Sequence, residues 1–101
     1  MNKNIFYFHG FASSADSAKA KVFNDFIKEK FPTIYLHIPN IDNSIEKSFT
    51  QLENLVEENE GDSLFIGSSL GGFYASYFAE KFNSKAVLIN PASNPYFGLV
   101  L

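Results

Sequence analysis

Leu64-Phe65-Ile66-Gly67-Ser68-Ser69-Leu70-Gly71-Gly72-Phe73 is the stretch whose reading decides the fold. A short apolar run, suited to a buried strand, meets a tight turn rich in glycine and serine, and a helix-like pattern begins at once. Gly67-Ser68-Ser69-Leu70-Gly71 has the spacing Gly-x-Ser-x-Gly. A serine at the apex of a sharp strand-to-helix turn has its hydroxyl pushed above the sheet. Residues two before and two after it come close to neighbouring backbone, and glycine is the residue that fits there. The turn also sets a helix N-terminus beneath the serine, where free N–H groups and the positive end of the helix dipole favour a developing anion. Ser69 is the candidate nucleophile, with Gly67 and Gly71 as its supports.

Two blander readings compete. A turn rich in glycine and serine can be plain packing punctuation, or it can cradle a phosphate. The phosphate readings fit poorly. A dinucleotide site wants Gly-x-Gly-x-x-Gly with an acidic residue about 20 positions on, whereas the glycines here are 67, 71 and 72. A P-loop needs Lys-Ser/Thr after its last glycine, and Gly72 is followed by Phe73.

Working outward, the 101 residues suffice for one domain with a modest core. At 46% hydrophobic and 17% aromatic, the composition is that of a folded globule. The net charge of −3, with no basic tract, points away from nucleic acid and from anionic membranes. The absence of cysteine excludes disulfides, thiolate chemistry and cysteine metal sites. The first apolar run, Ile5-Phe6-Tyr7-Phe8, is too short for a signal peptide or a membrane span, so a cytoplasmic protein is the default expectation.

Ile5 to Phe8 reads as a strand buried on both faces, followed by a loop at His9-Gly10-Phe11-Ala12-Ser13-Ser14. Ser13 and Asp16 can cap a helix starting near Ala15, with Ala18, Val22, Phe26 and Ile27 as its apolar stripe and Pro32 as its stop. Thr33 to Ile38 reads as a second strand. A second helix is expected from Asn43 to Glu60, with Ile45, Phe49, Leu52 and Val56 recurring at helical spacing and Gly61 after its end. Ser63 to Ile66 is a third strand, and Leu70 to Phe82 a third helix burying Leu70, Phe73, Tyr77 and Phe78. Lys85 to Asn90 is a fourth strand, then a loop and the apolar Tyr96 to Leu101. The alternation β-α-β-α-β-α-β calls for an α/β fold, a three-layer parallel sheet with flanking helices and right-handed crossovers. Ligands bind at the carboxyl ends of such strands, where both His9-Gly10-Phe11 and Ser69 fall.

A serine that attacks a carbonyl needs donors for the oxyanion. In the α/β-hydrolase arrangement that Gly-x-Ser-x-Gly resembles, one is the N–H of the residue after the nucleophile, here Leu70. The other comes from the loop after an earlier strand. Phe11 is the candidate for that second donor, with Gly10 allowing close approach and His9 holding the loop. Phe8-His9-Gly10-Phe11-Ala12-Ser13-Ser14, Ser17-Ala18-Lys19-Ala20, Ile38-Pro39, Gly67 to Ala75 and Asn90-Pro91-Ala92 together resemble the YqiA-like esterases over nearly the whole chain. The resemblance implies an α/β-hydrolase fold and hydrolysis of carboxylic esters with short acyl chains. It carries Ser69 over as nucleophile, and Phe11 and Leu70 as the oxyanion hole. No metal or organic cofactor is implied.

Such hydrolases take their acid and base from later strands, in the order serine, aspartate, histidine. Neither position exists here, and Asn90 to Asn94 contains no acidic residue. The chain therefore reads as the N-terminal half of an α/β-hydrolase, a fragment expected to turn over little substrate. Of its two histidines, His37 lies inside a strand, and His9 is the alternative base. Asp16, Asp42 and Asp62 read as helix-start or turn residues. Rival readings are a non-catalytic remnant, self-associating through the uncovered edge of the fourth strand, and thioester hydrolysis or acyl transfer on the same machinery.

Overall fold

Ile5, Phe6, Tyr7 and Phe8 are all buried, and alternate residues among them serve opposite faces of one sheet. The structure, a computed structural model, describes residues 3–9 and 18–89. Its elements are β1 (Lys3–Phe8), α1 (Ala18–Lys30), β2 (Tyr35–His37), α2 (Ile45–Glu58), β3 (Asp62–Ser68), α3 (Gly71–Lys81) and β4 (Lys85–Ile89). The four strands form one parallel sheet in the order β2-β1-β3-β4.

Phe6 and Phe8 point to one face, where they pack with Phe65, with Leu52 and Val56 of α2 and with Ala75, Phe78 and Ala79 of α3. Ile5 and Tyr7 point to the other face, against Ala20 and Ile27 of α1 and Ile66 of β3. The sheet is therefore covered on both sides, and the expected three-layer α/β architecture is present. The step from β1 to β2 runs one way along the sheet with its helix on one face, while the steps to β3 and β4 run the other way with helices opposite. That distribution is what a single crossover hand requires.

The packing corrects several sequence expectations. On α1 the inward residues are Ala20, Phe23 and Ile27, while Val22 and Phe26 are exposed. Both sets have helical spacing, and the sheet selects the first because its alanine lets the helix approach closely. On α3 only Phe78 of the four expected residues is buried; Leu70, Phe73 and Tyr77 are exposed. Small residues, Gly71, Gly72, Ala75 and Ala79, face the sheet instead.

α2 starts at Ile45 rather than Asn43. Ser44 is its N-cap, with its own N–H donated to Asp42 Oδ1 at 2.8 Å. α2 ends at Glu58, where Asn59 donates from Nδ2 to the Leu55 carbonyl at 2.7 Å. β2 is three residues long instead of six, because Ile34 N–H closes a turn onto the Phe31 carbonyl at 3.0 Å and Pro39 has no N–H to offer. β3 runs longer than expected, through Gly67 and Ser68, since both remain paired with β4. The expected cap at Ser13 and Asp16 lies outside the described residues.

Candidate functional site

β3 delivers the chain to the carboxyl edge of the sheet, and the turn that follows is held from both sides. Gly67 pairs with Phe8 on β1 and Leu88 on β4, and Ser68 pairs with Ile89. Ser69 N–H then donates to the Ile89 carbonyl at 2.9 Å, so β4 grips the turn's first residue. Ser69 itself has φ 58. This is the left-handed region, which costs a non-glycine residue roughly 1–2 kcal/mol and persists where surrounding structure enforces it.

That enforcement comes from two close approaches. A Cβ on Gly67 would sit 2.5 Å from the Gly71 oxygen and 2.5 Å from the Gly72 Cα. A Cβ on Gly71 would sit 2.0 Å from the Phe8 oxygen and 2.8 Å from the His9 oxygen. The turn closes with Gly72 N–H on the Ser69 carbonyl and Phe73 N–H on the Leu70 carbonyl, both at 3.1 Å, as α3 begins. The result is a sharp strand-to-helix elbow with a half-buried serine at its apex.

Leu70 is the N-cap residue of α3, with helical φ −65 and ψ −20 and no side-chain cap. Among the described residues no acceptor takes its N–H, which leaves that donor at the positive end of the helix dipole. His9 follows β1 on the neighbouring strand and is buried. Its Nε2 accepts the Ile41 N–H at 3.2 Å, which places the ring proton on Nδ1 and commits the Nε2 lone pair to the loop after β2.

Ser69, Leu70, Gly67, Gly71 and His9 thus gather where β1 and β3 end. Gly10 and Phe11, expected to complete the oxyanion hole, lie outside the described residues. So does the loop from Asn90 to Asn94. His37 lies on edge strand β2, its Nε2 bonded to Asn4 Oδ1 at 3.0 Å and its ring stacked on Phe6 at 4.7 Å. Burial holds its pKa below the ordinary 6.5.

Nothing in the sequence signalled Ile41, or the pairing of buried Ser48 on α2 with half-buried Tyr74 on α3, whose hydroxyls lie 2.9 Å apart. The available signal was Ser48 itself, four residues before Leu52 and eight before Val56 on the buried stripe of α2. A shallow groove of about 360 Å³, lined by Asn4, Tyr35, Glu57, Glu58, Asn59 and Glu60, opens at the opposite end of the sheet and has no part in this arrangement. Among the described residues no group of three His, Asp or Glu side chains could hold a metal, and no helix is long and apolar enough to cross a membrane.

Residues 4–100 match the model of a family described as "Uncharacterised protein family (UPF0227)". The match takes in the strand before His9, the elbow around Ser69 and the sheet that joins them, so the segments that resemble YqiA-like esterases and the observed fold coincide. With nearly its whole length matched, the chain belongs to UPF0227, the family of YqiA-like esterases.

Proposed function

We propose that this chain carries the nucleophile half of a serine carboxylesterase acting on esters with short acyl chains. The observation that carries the reading is Ser69, held at φ 58 on a turn whose flanking glycines have no room for a side chain. A turn serving only as punctuation would have no reason to keep a serine, rather than a glycine, in that conformation.

In the proposed reaction, Ser69 Oγ attacks the ester carbonyl carbon and its proton passes to a general base. The oxyanion is received by the Leu70 N–H and, on the family resemblance, by the Phe11 N–H. A donor of this kind is worth roughly 2.7–4 kcal/mol in the transition state. Collapse expels the alcohol, which takes the proton from the base, and water then hydrolyses the acyl-enzyme. Hydrolases of this kind take their base and its orienting acid from later strands, in the order serine, aspartate, histidine. His9 is the weaker candidate for base, since its Nε2 already accepts from Ile41. The 101 residues alone are therefore expected to retain only the residual rate left by loss of triad members, roughly 10³–10⁴-fold over water. Thioester hydrolysis or acyl transfer would use the same groups.

The test is labelling with a fluorophosphonate and hydrolysis of a short-chain nitrophenyl ester. Slow labelling of the 101 residues, lost in Ser69→Ala, together with rapid turnover by any longer form that supplies an acid and a base, is the expected result. Fast stoichiometric labelling of the 101 residues alone would return His9 to the role of base. No labelling in either form would sink the esterase reading. It would favour the second one, a non-catalytic domain that pairs with another copy along β4. β4 pairs only with β3 among the described residues, with Val87, Leu88 and Ile89 half-buried.

A further inference from the structure

Ser48 is wholly buried, within the stripe Ser48, Leu52 and Val56 that α2 turns to the core. An apolar side chain would fill that position without taking a hydroxyl out of water. The hydroxyl is instead bonded twice. Its Oγ donates to the Ile45 carbonyl at 2.7 Å and lies 2.9 Å from the Tyr74 hydroxyl. A serine has one proton to give, so with that proton on Ile45 the Tyr74 O–H donates the second bond. Tyr74 stands on the first turn of α3, three residues after Gly71. Its ring meets Phe8 edge-on at 6.3 Å and Phe49 at 5.1 Å, so a rigid and well-packed ring carries the hydroxyl across to α2.

We infer that Ser48 and Tyr74 are positioning residues for the elbow: their hydrogen bond clamps the first turn of α3 to the first turn of α2, and so sets where Ser69 and the Leu70 N–H stand. The inference rests on the reading of Ser69 as nucleophile. Gly71, pressed against the Phe8 and His9 carbonyls, fixes α3 on the side of β1. The Tyr74 bond fixes it on the side of α2. A pair kept for stability alone has a simple apolar equivalent, Ala at 48 with Phe at 74, which removes both polar groups together and leaves neither unsatisfied. Retaining the hydroxyls makes sense when the distance between the two helices must be held closely, because small misplacements of an oxyanion donor are costly in rate.

The test compares the parent protein with Tyr74→Phe, Ser48→Ala and the double variant, by amide NMR, ester kinetics and thermal melting. The Leu70 and Gly71 amide resonances should shift and exchange faster in each variant. At the same time kcat should fall roughly tenfold to a hundredfold with KM little changed. The double variant should melt close to the parent yet be no more active than the single ones. Unmoved Leu70 and Gly71 amides in folded Tyr74→Phe, or an unchanged kcat, overturn the inference; if Ser48→Ala fails to fold, Tyr74→Phe alone decides. Moved amides in a parent protein that neither labels nor hydrolyses would support the clamp while removing the esterase reading.

Discussion

Gly71 is the residue with least freedom in the elbow, since any Cβ there meets the Phe8 oxygen at 2.0 Å and backbone, not a flexible side chain, is what must move. Gly71→Ala is accordingly expected to destabilise the fold by about 3 kcal/mol or more, which urea unfolding followed by circular dichroism would register. A loss under 1 kcal/mol, on the order of a surface substitution, would mean that β1 and α3 are not as close as described. The elbow was legible because its causes are local: a strand, a serine and two glycines within five positions state the geometry by themselves. Ser48 and Tyr74 were not legible, because they stand 26 residues apart and only the adjacency of α2 and α3 brings their hydroxyls together. The contact between His9 and Ile41 escaped for the same reason, with 32 residues between them.

Among the elements, the strands were easier to read than the helix faces. A strand buried on both sides needs only a continuous apolar run, and Ile5 to Phe8 supplies one. A helix must also choose a face, and α1 offers two, with Val22 and Phe26 on one and Phe23 and Ile27 on the other. The structure buries Ile27 and leaves Val22 69% exposed, so substitutions separate the two. Ile27→Ala should cost about 2–5 kcal/mol in a denaturant titration, while Val22→Ala should fall within roughly 0.5 kcal/mol of the parent. Equal losses would put the stripe back where spacing alone placed it. In α3 the ambiguity arose because large apolar side chains occur around much of its circumference, and close approach to the sheet selected the small ones. The outward Tyr77 is not idle: its ring lies 5.0 Å from Phe49 and beneath Lys81, which pairs with Glu53 of α2.

For the whole molecule, the edge strand β2 is tied in by polar as well as apolar contacts. His37 donates to Asn4, and Asn4 in turn donates to the Asn59 and Glu60 carbonyls at 3.3 Å, joining β2, β1 and the end of α2. Because burial lowers the His37 pKa from 6.5, the folded state binds its proton less tightly than the unfolded chain does. The linked stability is fully present above 6.5 and is lost as the pH falls through that value toward the lowered one. Unfolding midpoints taken from about pH 8 down to about pH 5 should therefore drop more steeply for the parent than for His37→Gln. Identical slopes would show that His37 contributes nothing to the acid sensitivity. The seating of Gly71 on the end of β1 also bears on the order in which the molecule is built. β3 and α3 cannot complete the left-handed turn at Ser69 alone, because the surface they press against comes from the start of the chain. A chain emerging from its N-terminus holds β1 in waiting through α1, β2 and α2, and the entropy of closing that long loop must be overcome before the strands meet. The left-handed turn at Ser69 is thus expected to set only after β1 has met β3, so a half-folded chain would carry that serine in an ordinary, relaxed conformation.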